Sequence, residues 1–141
     1  MNTKVYKAVH DLAEKLMAAA NKNDTKQFES LYAELKAICI EHENTAKDHP
    51  VQWETLADFT EELEEAIETY EKALQKSIEI NNKDHMSSVA FSMATLQLEL
   101  GDKEAAIKNL QDAKVSANKI EDKELKSEIH DLLESLVEEE G

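Results

Sequence analysis

Residues 90–113 read AFSMATLQLELGDKEAAIKNLQDA, and this stretch decides the fold. Before its glycine, Ala90, Met93, Leu96 and Leu100 recur at intervals of three and four, the period of one helical face. After it, Ala106, Ile107, Leu110 and Ala113 do the same. Between them Gly101 tolerates the left-handed backbone that ends a helix, and Asp102 offers an oxygen to the free N–H groups that begin the next. The stretch predicts two helices, at 84–100 and 103–119, folded back on each other.

The same period runs outward in both directions. Upstream, Asn81-Asn82-Lys83-Asp84 is a turn, preceded by Trp53, Leu56, Ala57, Leu63, Ile67, Tyr70, Leu74 and Ile78. No glycine or proline interrupts that run, so one long helix is possible. A break at 58–62 is the preferred reading, because Asp58 and Glu61 have capping-box spacing. Pro50 suits the first turn of its helix, where a missing N–H costs nothing, and residues 43–50 are the one stretch that reads as a loop. Phe28, Leu31, Tyr32, Leu35, Ile38 and Cys39 mark a second helix, with Asp24 as its N-cap and Gln27 placed to return the bond. Val5, Val9, Leu12, Leu16, Met17 and Ala20 mark the first, from Asn2 to Asn21. Downstream, Leu125, Ile129, Leu132, Leu133, Leu136 and Val137 mark a last helix, whose other face is acidic and runs into Glu138-Glu139-Glu140. It reads as a cap over one end of a stack.

Composition agrees. Of 141 residues only 2 are glycine and 1 is proline, so little would break a helix. No apolar run is long enough to span a bilayer, and Met1-Asn2-Thr3-Lys4 lacks the apolar stretch of a secretory leader. The single cysteine, Cys39, has no internal partner for a disulfide, which suits a reducing cytoplasm. The formal net charge is −15, from 31 acidic residues against 16 basic ones, every one a lysine. Such a surface repels nucleic-acid phosphate and acidic lipid, so neither is an expected partner. A basic protein partner would be attracted, although acidic helices also serve solubility alone.

Two segments of the chain repeat. Ala66-Ile67-x-x-Tyr70-x-x-Ala73 matches Ala106-Ile107-x-x-Leu110-x-x-Ala113, forty positions on, and Trp53-x-x-Leu56-Ala57 matches Ala90-x-x-Met93-Ala94. Small residues on both helices of a pair let the backbones approach, and larger ones fill the space toward the next pair. One pair cannot bury its stripe alone, so pairs stack. Residues 90–113, with Gly101-Asp102 at the turn, resemble a tetratricopeptide repeat. Residues 53–74 resemble a second, and a faint third is suggested where Asp24 precedes Phe28 as Asp102 precedes Ala106. Three features depart from the pattern. Trp53 to Ala66 is thirteen residues where Ala90 to Ala106 is sixteen; Gln97 stands where an aromatic is usual; and the spacing exceeds the usual ~34.

The expected architecture is therefore all-α. It is a stack of antiparallel helix hairpins like a tetratricopeptide α-solenoid, in one domain. Residues 1–46 form an N-terminal hairpin, 50–80 a degenerate repeat, 84–120 the best repeat and 123–138 the capping helix. The resemblance implies a concave face lined by the first helix of each pair: Glu54 and Asp58 in the middle repeat, and Ser88, Phe91, Thr95 and Leu98 in the last. Phe91 lies off the core stripe and could anchor a bound segment, or pack on a neighbouring helix or the capping helix. Some members of the family clamp the acidic tail of a heat-shock chaperone with lysine and asparagine. Glu54, Asp58, Phe91 and Thr95 hold those places here, so a partner that is apolar with basic flanks fits better.

Chemistry finds no foothold. None of the five histidines follows a glutamate by three residues, as di-iron bundles require, and Cys39-x-x-His42 supplies two of the four ligands zinc wants. No glycine-rich phosphate loop or nucleophile elbow is written in the chain. The run Glu61-Glu62-x-Glu64-Glu65 reads as a solvated face. The leading expectation is a non-catalytic, cytoplasmic scaffold, adaptor or chaperone that binds a protein or peptide segment without a cofactor or metal. Alternatives are a ligand-sensing or enzymatic domain with an inter-helix pocket, and a module that self-associates through 125–137. The sequence leaves oligomeric state open.

Overall fold

The computed structural model describes residues 3–140, with side chains through Glu138. The expected helical start at Asn2 and the acidic side chains of Glu139 and Glu140 lie outside that description. Among the described residues seven helices follow one another: α1 (Thr3–Asn21), α2 (Thr25–His42), α3 (Pro50–Asp58), α4 (Leu63–Glu79), α5 (Lys83–Glu99), α6 (Lys103–Ala117) and α7 (Lys123–Glu140). The described residues contain no strand. They fall into two units, Met1–Thr69 and Tyr70–Gly141, whose boundary lies within α4.

Three of the turns are built by one device. Asn23, Asn81 and Gly101 adopt positive φ of 56°, 54° and 82°, which reverses the chain after a helix. In each case the next residue's N–H reaches back to a carbonyl of the last helical turn: Asp24 to Ala19 at 2.9 Å, Asn82 to Ser77 at 2.9 Å and Asp102 to Gln97 at 2.8 Å. That same residue then caps the following helix, its side chain accepting from the N–H of Gln27, His85 and Ala105 at 3.1, 3.1 and 3.2 Å. The cap of α5 is thus Asn82, one of the four turn residues, while Asp84 lies in the first helical turn.

The stretch 51–80 is two helices, and the break between them is made differently. The Phe59 N–H closes α3 onto Leu56 at 3.2 Å, and the Thr60 hydroxyl donates to the same carbonyl at 2.8 Å. The cap of α4 is Glu62, whose two carboxylate oxygens accept from the N–H groups of Glu64 at 3.3 Å and Glu65 at 2.7 Å. The expected Asp58–Glu61 box is not the cap of α4. Asp58 is the last residue of α3, and α4 begins at Leu63. With 9 residues, α3 is about half as long as α5 with 17, which is where the shortened spacing between Trp53 and Ala66 comes from.

In the first unit α1 pairs with α2, and α3 packs on both. Val5, Val9, Leu12, Leu16 and Ala19 of α1 meet a core that includes Leu31, Leu35 and Cys39. Met17 and Ala20, expected in the stripe, are exposed, with Ala19 inside in place of Ala20. The loop from 43 to 49 is tied to α3. Asp48 accepts from the buried Trp53 indole N–H at 2.8 Å, the Gln52 amide donates to the Lys47 carbonyl at 2.8 Å, and His49 Nδ1 caps α3 through the Val51 N–H at 3.1 Å. Pro50 starts that helix as expected. Cys39 is buried and gives its thiol hydrogen to the Gln52 carbonyl at 3.3 Å.

In the second unit α5 and α6 form the most extensive pair, α7 lies along α6, and α5 also touches α7. The seam is made of small residues: Ala90, Ala94, Ala106 and Ala113 are all buried, so the helix backbones come close. Leu110, Ala117, Ile120, Ile129 and Leu136 complete this core. Through Ile129 and Leu136 α7 packs on the α5–α6 pair of its own chain. Gln97 is buried in the same unit and accepts from the Asn109 amide at 2.7 Å.

Candidate protein-interaction surfaces

On α5, Ser88, Phe91, Thr95 and Leu98 follow one another at three, four and three residues and share one face, all half-buried. The hydroxyls of Ser88 and Thr95 turn back onto their own helix, donating to His85 at 3.4 Å and Ser92 at 2.7 Å. Phe91 and Leu98 lean on the core cluster of the second unit, as do Leu125, Leu132 and Leu133 of α7. Phe91 is therefore partly packed and partly open. Its ring packs against that core on one side, which holds it in place as an anchor must be held. Glu54 and Asp58 belong to the first unit, one turn apart on α3; Glu54 is half-buried and Asp58 exposed.

A second surface lies wholly within the first unit, and the sequence reading missed it. Phe28, Glu29 and Tyr32 of α2 face Phe59 to Glu62 and Glu65 across an open depression of about 280 Å³. Phe28 and Phe59 meet edge to face, centroids 6.3 Å apart and planes at 62°. The Tyr32 and Thr60 hydroxyls are hydrogen-bonded at 2.8 Å. A neighbouring depression of about 350 Å³ shares Phe28 and Glu61 and continues along Ala19, Ala20, Asn23, Asp24 and Thr25. The sequence offered a signal in Phe28 and Tyr32, one turn apart at the edge of the α2 stripe, but they read there as part of that stripe, Tyr32 as core or rim.

For metals, His130, Asp131 and Glu134 of α7 bring three ligand atoms within 4.8 Å of one another. All three are exposed, and His130 already meets Glu134 at 3.3 Å as an ordinary pair four residues apart. Nothing there closes a coordination shell. Among the described residues no helix is long and apolar enough to cross a membrane.

A profile of the tetratricopeptide-repeat family matches residues 55–114, from within α3 to the last turn of α6. No curated protein matches the chain. Among solved structures, PcrH from Pseudomonas aeruginosa is similar in fold, with a TM-score of 0.55 over 91% of this chain and 92% of that one. The two sequences are 18% identical, so the likeness speaks for the fold alone. The alanine seam of α5 and α6 and the profile match agree that residues 55–114 carry sequence of the tetratricopeptide-repeat type.

Proposed function

We propose that this protein works without catalysis, by holding a segment of another protein against the exposed faces of its repeat helices. The observation that carries the reading is the repeat itself, with a braced but half-open Phe91 on the first helix of its best copy. Ser88, Thr95 and Leu98 extend that face along α5, and Glu54 and Asp58 occupy the corresponding places on α3. A net charge of −15 selects for a segment with lysine or arginine beside its apolar anchor, and against acidic tails, nucleic acid and anionic lipid. A scaffold, an adaptor and a chaperone all fit this description, and a reducing cytoplasm suits the lone buried thiol of Cys39.

Partner capture from the native cell on the immobilised chain tests the reading. Phe91→Ala should cost the captured partner about 2 kcal/mol of affinity or more, the scale of an interface hot spot. Because Phe91 also touches the core, Thr95→Lys is the companion variant. It places a cation on the same face without removing core packing, and should weaken a basic-flanked partner while circular dichroism stays unchanged. Capture indifferent to both variants would remove the α5 face from consideration.

A further inference from the structure

We propose that the trough between α2 and the α3–α4 turn is a second binding surface, taking a lysine- or arginine-bearing, partly apolar segment of a partner protein. It shares with the preceding reading the idea that the chain binds protein segments, but no residue.

Its floor is aromatic surface that folding leaves uncovered. Phe28, Tyr32 and Phe59 are all half-buried. The floor is also fixed in advance: Tyr32 donates to Thr60, and Thr60 donates to the Leu56 carbonyl, each at 2.8 Å. A surface held this way loses little freedom when occupied.

Its rim is carboxylate. Glu29, Glu61, Glu62 and Glu65 line it, and Asp24 continues the same sign along the neighbouring depression. The carboxylates of Glu29 and Glu61 have no partner among the described residues. Glu65 meets Lys36 at 3.7 Å with both side chains half in water, a pair of little strength that a competing cation can replace.

The two features select one occupant. A lysine or arginine laid on the trough keeps its aliphatic stem on Phe28 and Phe59 while its charged head sits among the glutamates. Anionic ligands are repelled. Depressions of about 280 and 350 Å³, open to solvent, suit side chains of an extended segment better than an enclosed metabolite.

The test uses the full ¹⁵N-labelled chain and a short synthetic peptide alternating leucine and arginine, with a leucine–glutamate peptide as control. The basic peptide should shift the amides of Phe28, Tyr32 and residues 59–65. Glu29→Lys combined with Glu61→Lys, both at exposed positions, should weaken it roughly tenfold. Phe59→Ala should weaken it too, and Phe91→Ala should not. Shifts spread evenly over the acidic faces of α4 and α7, or a double variant within about twofold of wild type, would overturn the proposal. Calcium chloride saturating these amides, with the peptide adding nothing, would do the same. Loss of the peptide result with Phe91-dependent capture intact defeats only the trough, and the reverse defeats only the α5 face.

Discussion

Gln97 shows how a single side chain can break a family pattern and still be satisfied. It occupies a buried position usually held by an aromatic, and its side-chain oxygen is met by Asn109 at 2.7 Å. Removing one partner should be worse than removing both. Asn109→Ala leaves that oxygen without its donor and should cost about 1–3 kcal/mol in urea denaturation. Gln97→Leu combined with Asn109→Leu should recover much of the loss, because two apolar groups need no bond. The departure at Gln97 was legible in the sequence; its partner was not, because two residues twelve positions apart are brought together only by the α5–α6 hairpin. Gly101 is the opposite case, legible in role and position. A Cβ there would meet nothing within 4 Å, so Gly101→Ala is resisted only by its φ of +82°. The expected loss is about 1 kcal/mol, read as a lower urea midpoint with an unchanged slope.

At the level of elements, the turns that open α2, α5 and α6 use the same left-handed residue followed by a capping side chain. Asp102→Ala should therefore cost about 1 kcal/mol. Those turns were readable because Asn-Asp, Asn-Asn and Gly-Asp write the device in adjacent letters. The α3–α4 break was readable only as a shortened spacing. Its cap went to Asp58 in the sequence, whereas Glu62 performs it by reaching forward with both oxygens to the next two free amides. Glu62→Ala should accelerate hydrogen exchange at the Glu64 and Glu65 amides and lower stability by about 1 kcal/mol. The alanine seam of α5 and α6 makes a sharper demand. Ala94 and Ala106 are fully buried, and Ala94→Leu should overpack the pair at a cost of about 1–3 kcal/mol.

For the whole molecule, charge acts in two opposed ways. A chain of net charge −15 repels itself when folded, so its melting temperature should rise as sodium chloride screens that repulsion. Attraction to a basic partner should fall over the same range. Calorimetric melting and peptide titration along one salt series would show the two trends crossing. If both moved together, the partner would not be recognised by charge. The acidic balance of the chain was legible from composition, but the place where acid gathers round aromatic surface was not. The four α5 residues singled out from sequence include no acid, while the trough collects Glu29 from α2 with Glu61, Glu62 and Glu65 from beyond α3. Only the packing of α2 on α3 makes neighbours of residues some thirty positions apart.

Trp53 gives the molecule a built-in reporter. It is the sole tryptophan of the chain, 4% exposed, and its indole N–H is held by Asp48. Its emission should therefore begin blue-shifted and move red as Met1–Thr69 opens, whereas far-ultraviolet ellipticity sums every helix of the chain. Superimposable curves from the two signals would mean that both units melt as one cooperative body. An ellipticity change that precedes the red shift would assign the weaker half to Tyr70–Gly141, the half that carries Phe91.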